Sequence, residues 1–91
     1  MTGIVAVIVK IMPTSPETDL EKIKKDSQKL MESEGAQNFS FEEKPIAFGL
    51  KAVFLKMAWP EEKSTEIIES KLAEIENVSS ITIEDYRRAF G

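Results

Sequence analysis

The sequence contains neither cysteine nor histidine. Without cysteine there is no disulfide, no thiol nucleophile and no cysteine metal site. Without histidine, the side chain best suited to proton transfer near neutrality is missing, so most hydrolase mechanisms lose their usual base. Arginine is confined to the pair Arg87 and Arg88, while ten lysines are scattered among the acids. A formal net charge of -4 disfavours a nonspecific grip on nucleic-acid backbones, which draws on clustered cations. The longest apolar run, Ile4 to Val9, falls far short of the roughly 20 residues that cross a bilayer, and no cationic segment with a cleavage site precedes it. These features predict a cytoplasmic protein with no membrane partner. No glycine-rich phosphate loop occurs, so the chain is not expected to bind nucleotide by itself.

What is present points to one small folded unit, expected to span residues 1–91. A chain of 91 residues with 42% hydrophobic content can enclose a single core, and its 31% charged residues are dispersed along it. Gly3 to Met12 is rich in Val and Ile and carries one charge, Lys10, as befits a strand covered on at least one face. Pro13 ends it. Thr18-Asp19-Leu20-Glu21 reads as a capping box opening a helix on which Leu20, Ile23, Ser27, Leu30 and Met31 share a face until Gly35. Gln37 to Glu43 alternates, with Phe39 and Phe41 on one side, and reads as a half-buried edge strand that Pro45 interrupts.

Gly49 to Trp59 resumes as a longer strand, with Val53, Leu55 and Met57 on one face and Leu50, Ala52 and Phe54 on the other, until Pro60 stops it. Ser64 or Thr65 caps a second helix, along which Ile67, Ile68, Leu72 and Ile75 recur until Asn77. A last strand runs from Val78 to about Tyr86, beyond which Arg87 to Gly91 shows no pattern. Strand, helix, strand, strand, helix, strand with two right-handed crossovers predicts an α+β, ferredoxin-like βαββαβ sandwich. The first and third strands then lie at the centre of an antiparallel sheet, with both helices on one face. Phe39, Leu20, Ile23, Leu72 and Ile75 are expected to be largely buried. Such a fold hosts many functions, so function has to come from sites.

The most unusual segment is Pro45-Ile46-Ala47-Phe48-Gly49-Leu50, which sets apolar side chains between a proline and a glycine where a polar turn is expected. Either Phe48 starts a buried strand, or the connection presents it outward as an aromatic anchor of the type that dominates small interfaces. Spacing alone favours the buried alternative. Glu42-Glu43 and Glu61-Glu62 lack metal-loop spacing and read as solvated charge. Trp59 before Pro60 reads as a packing lid more than as a stacking platform.

Lys44-Pro45-Ile46-Ala47-Phe48-Gly49-Leu50 resembles the signature of archaeal elongation factor 1-beta and of the C-terminal exchange domain of its eukaryotic relatives. Val5 to Lys10, Met12-Pro13, Thr18 to Glu21 and the ending Val78 to Arg88 are similar to other parts of that family, so the resemblance covers essentially the whole chain. It implies a partner of the GTPase elongation factor 1-alpha that promotes exchange of GDP for GTP and performs no covalent chemistry. No cofactor, metal or catalytic residue is implied. Phe48 would dock into the GTPase, with Pro45, Ile46 and Gly49 around it. In the eukaryotic relatives a lysine beside the C-terminus reaches toward the magnesium and phosphate site, and aligning the last strands puts Arg88 at that position, with Arg87 as the alternative. Arginine for lysine, and Ala89, Phe90 and Gly91 beyond it, depart from that pattern. A guanidinium matches phosphate geometry, whereas the plain alternative is a solvated end.

Two rivals share this topology. In an RNA-recognition motif the third strand carries a leading cation and stacking aromatics, but Phe48 to Leu55 supplies only Gly49 and Val53 of the usual pattern. An acylphosphatase needs an arginine-bearing phosphate loop after the first strand, and Met12 to Pro16 contains no arginine.

Overall fold

A computed structural model describes residues 3–88. Six elements follow in the expected order: β1 (Ile4–Pro13), α1 (Leu20–Ser33), β2 (Gln37–Pro45), β3 (Lys51–Pro60), α2 (Thr65–Leu72) and β4 (Val78–Arg88). The strands form one antiparallel sheet in the order β2-β3-β1-β4, with β1 and β3 central and β2 at an edge, as the ferredoxin-like α+β assignment requires. Val5, Val7, Val9 and Ile11 alternate along β1 with Val53, Leu55, Met57 and Trp59 of β3, all at 0–1% exposure. Against them pack Ile23 and Met31 of α1 and Ile68 and Leu72 of α2. Period-2 and helical patterns therefore converge on one core, and burying each such side chain contributes roughly 1.5–3 kcal/mol.

Sequence and structure part at several points, each with a local cause. The N-cap of α1 is Asp19, whose Oδ1 accepts from the amides of Glu21 and Lys22 at 3.1 and 3.3 Å, so the box that begins at Thr18 does not form. A carboxylate also suits the positive end of the helix. Thr18 instead accepts from the amide of Ser15. Helix α2, capped by Ser64, stops at Leu72 and not at Asn77. The amides of Glu74 and Ile75 reach back three residues, to Lys71 and Leu72, and Asn77 takes φ 65°. Tightening the last turn keeps Ile75 buried while aiming the chain into β4. Leu20 and Phe39 pack against the core but are only partly buried, because they lie at the start of α1 and on an edge strand. Strand β4 runs two residues beyond Tyr86 and includes both arginines.

Gly35 ends α1 as expected: at φ 97° it lets its own amide bond to Glu32 and that of Ala36 to Met31. Trp59 is buried and its indole N–H donates to the Lys63 carbonyl at 3.1 Å, so the packing-lid assignment holds. Lys63 Nζ in turn donates to the Glu34 carbonyl at 2.6 Å, tying the β3–α2 turn to the end of α1.

Lys24 of α1 donates to Glu43 of β2 at 2.7 Å and to Glu21 at 2.9 Å. The bond from Lys24 holds the Glu43 carboxyl below its ordinary 4.5, and the bonds to Glu43 and then Glu21 hold the lysine above 10.5. A lowered carboxyl contributes stability above its unfolded value and loses it as pH falls through the folded one. A raised lysine contributes below its unfolded value and loses it as pH rises through the folded one. The tie is therefore complete between the two ranges. Wild type should be more stable than Glu43→Gln at neutral pH, with the margin shrinking as acid protonates the carboxylate. Thermal melts against pH test this, and a margin unchanged into strong acid would mean that the tie does not stabilise the fold.

Candidate functional site

Ladder pairing between β2 and β3 ends at Pro45 opposite Lys51. Lys44, one pair earlier, lies opposite Ala52 and places its ammonium 4.8 Å from the Phe54 ring centroid, which steadies the strand ends. Beyond them the Ile46 amide donates to the Leu50 carbonyl at 2.7 Å and the Leu50 amide to the Ala47 carbonyl at 3.2 Å. These bonds close a tight turn whose central residues, Phe48 and Gly49, take φ 60° and 75°. Two positive φ values are what hairpin turns matched to strand twist require. Gly49 meets that demand without strain, and a bulky aromatic does not.

Phe48 is nonetheless there, and it is 94% exposed, with Ile46 beside it at 40%. The buried alternative is therefore incorrect. The reason lies in the turn: a residue at its apex points away from the sheet, and the register of β3 sends Val53 and Leu55 into the core instead. An exposed phenyl in a left-handed conformation gains no burial and costs of order 1–3 kcal/mol of backbone strain.

The two arginines lie at the other end of the sheet. Arg88 pairs with Val5 and Arg87 with Ala6, at the end of β1 where Val5 is flanked on its other side by Trp59. Strand β3, whose first residue adjoins the Phe48 turn, spans ten residues, so the two groups stand roughly 30 Å apart at about 3.3 Å per residue. Adjacent residues on a strand face opposite ways. Arg88 shares the helix-covered face with Val5, where its Nη2 lies 2.5 Å from Glu61 Oε1. Arg87 shares the open face with Ala6, and its Nε lies 3.0 Å from Asp85 Oδ2. Both guanidiniums remain largely exposed, at 65% and 77% of the side chain. Ala89, Phe90 and Gly91 lie outside the described residues.

Glu61 was expected to be solvated charge, yet it forms an ion pair with Arg88. No sequence spacing could show this, since 27 positions separate them. Glu42 sits exposed beside Lys44 at 3.7 Å, and Glu43 holds Lys24, so neither is drawn into a metal cluster. Among the described residues no group of three His, Cys, Asp or Glu side chains is placed to hold a metal ion, and no helix is long and apolar enough to cross a membrane. The open face carries Phe54 as its one aromatic among the described residues, and Lys44 lies over that ring. A two- or three-base stacking platform is not built there.

The family of EF-1 guanine nucleotide exchange domains matches residues 6–89. An elongation factor 1-beta of Methanothermobacter thermautotrophicus is 41% identical over 87 residues, covering 94% of this chain and 97% of that protein. That of Methanocaldococcus jannaschii is 41% identical over 74 residues, covering 80% and 83%. The elongation factor 1-beta of Haloarcula marismortui is 34% identical, with 94% of this chain and 98% of that protein covered.

Proposed function

The chain belongs to the EF-1 guanine nucleotide exchange family, and from that premise we propose that it releases GDP from elongation factor 1-alpha by docking through Phe48 and disturbing the magnesium and phosphate site with Arg88. Membership makes it a translation elongation exchange factor. The observation that carries the finer reading is Phe48, a large apolar side chain at 94% exposure on a positive φ. Both costs are recovered when a partner pocket removes the ring from water.

GDP leaves such a GTPase slowly because magnesium and backbone amides neutralise its phosphates. A factor that binds the distorted site more tightly than the intact one shifts the population toward release. The coupling is reciprocal, so GDP lowers the factor's affinity by the same ratio. No covalent bond is made or broken. With Pro45, Ile46, Phe48 and Gly49 at one end and Arg87 and Arg88 at the other, the GTPase is gripped at two places about a sheet length apart. Docking energy at the turn then supports work at the metal site.

Mixing the protein with elongation factor 1-alpha loaded with fluorescent GDP, in excess unlabelled nucleotide, tests this. Loss of signal should accelerate in proportion to added protein. Decay at the intrinsic rate at every concentration removes the proposal.

A further inference from the structure

Glu61 lies in the turn after β3, outside both groups of residues assigned to docking, and yet its backbone is anchored on two sides and its carboxylate lies over Gly3. Its amide donates to the Gly3 carbonyl at 3.0 Å. Its carboxylate rests against the Gly3 Cα, so that a Cβ at position 3 would fall on Glu61 Oε2. The turn that carries it is closed by the Lys63 amide on the Pro60 carbonyl at 3.1 Å and by the Trp59 indole on the Lys63 carbonyl. Its side chain is only 30% exposed, against 65% for Arg88. Of the two ions, then, the carboxylate is the less exposed and sits on the better anchored turn, and the guanidinium reaches to it. An arginine otherwise samples many rotamers, and a cation wandering at a strand end is poorly aimed.

We propose that Glu61, seated on Gly3, is a positioning residue that holds the Arg88 guanidinium ready for the magnesium and phosphate site of the GTPase. This rests on the exchange reading given above. An arginine has five donors in a planar fork, so one carboxylate oxygen can orient the group and leave donors for phosphate. The pair also makes Gly3 functional, because a side chain there displaces the carboxylate without altering any charge.

The test measures GDP release from elongation factor 1-alpha with wild type, Glu61→Gln, Gly3→Ala, Arg88→Ala and the Glu61→Gln/Arg88→Ala double variant. Affinity for the nucleotide-free GTPase and melting temperature are measured beside it. Glu61→Gln and Gly3→Ala should each slow stimulated release by up to about fivefold, the upper range of an exposed ion pair. Affinity and melting temperature should hardly change. In the Arg88→Ala background, Glu61→Gln should have no further effect, a non-additivity that a merely structural role does not produce. A partner-free readout is the Arg88 Nε–H resonance, whose order should fall in both Glu61→Gln and Gly3→Ala. If Arg88→Ala slows release while Glu61→Gln matches wild type or exceeds it, the positioning role is wrong and the exchange reading stands. If Arg88→Ala itself leaves release unchanged, Arg88 is not the effector and Glu61 falls with it.

Discussion

Replacing Phe48 with alanine is expected to weaken binding to elongation factor 1-alpha by about 2 kcal/mol or more, close to thirtyfold, while the melting temperature stays put. The two halves of this expectation come from the same geometry. A ring at 94% exposure contributes almost nothing to the core, so truncating it cannot open a cavity. Alanine in a left-handed conformation is strained much as phenylalanine is, so the turn keeps its cost as well. Phe48→Asn separates fold from function further. Asparagine tolerates φ 60° far better, so this variant should melt higher than wild type and bind no better than the alanine. Circular dichroism melts and titration against the nucleotide-free GTPase measure both. A Phe48→Ala protein with wild-type affinity would falsify the docking role, and one that melts lower would show that the turn needs the ring for itself.

Arg88→Ala should act on rate more than on docking. A guanidinium aimed at a metal and phosphate site contributes mainly once that site is distorted, so the loss appears in release and only modestly in affinity. Contacts to charged groups are worth roughly 1.5–3 kcal/mol, which places the fall in stimulated release at about tenfold to a hundredfold. Arg88→Lys should keep part of the effect as a point charge without the fork. Arg87→Ala serves as the comparison, because Arg87 faces the open side of the sheet beside Asp85 and its loss should matter less. Chelating magnesium already loosens GDP, and should therefore shrink the gap between wild type and Arg88→Ala. An equal gap with and without the metal means that the arginine belongs to the docking surface alone.

Choosing between the two arginines shows where sequence runs out. Simple alternation from Ile81 and Ile83, which face the helices, assigns position 87 to the same side and sends 88 to the open face. The register shift between Ile8 and Val9 places one extra residue in β4, so the phase inverts: Tyr86 and Arg88 join Val7 and Val5 on the helix face. Nothing in Val78 to Arg88 announces that bulge. The Thr18-Asp19 cap failed for a comparable reason, since two adjacent residues could each accept the same amides and the carboxylate took them. Helix α2 read one turn too long because Ile75 keeps its place in the apolar stripe after the backbone has left the helix.

By itself the sequence determined the six elements, the apolar faces of β1, α1 and β3, and the family, because each of these is written in local periodicity or in a contiguous motif, and the sheet order followed from the handedness of the two crossovers. Tertiary structure alone decided four things. It turned Phe48 outward and set the arginines a sheet length from it. It decided which face each arginine takes, and it brought Gly3 and Arg88 to Glu61. These depend on strand register and on contacts between residues far apart in the chain. Hydrogen-bonded ladders set such relations across the whole sheet, so no short stretch of sequence carries them.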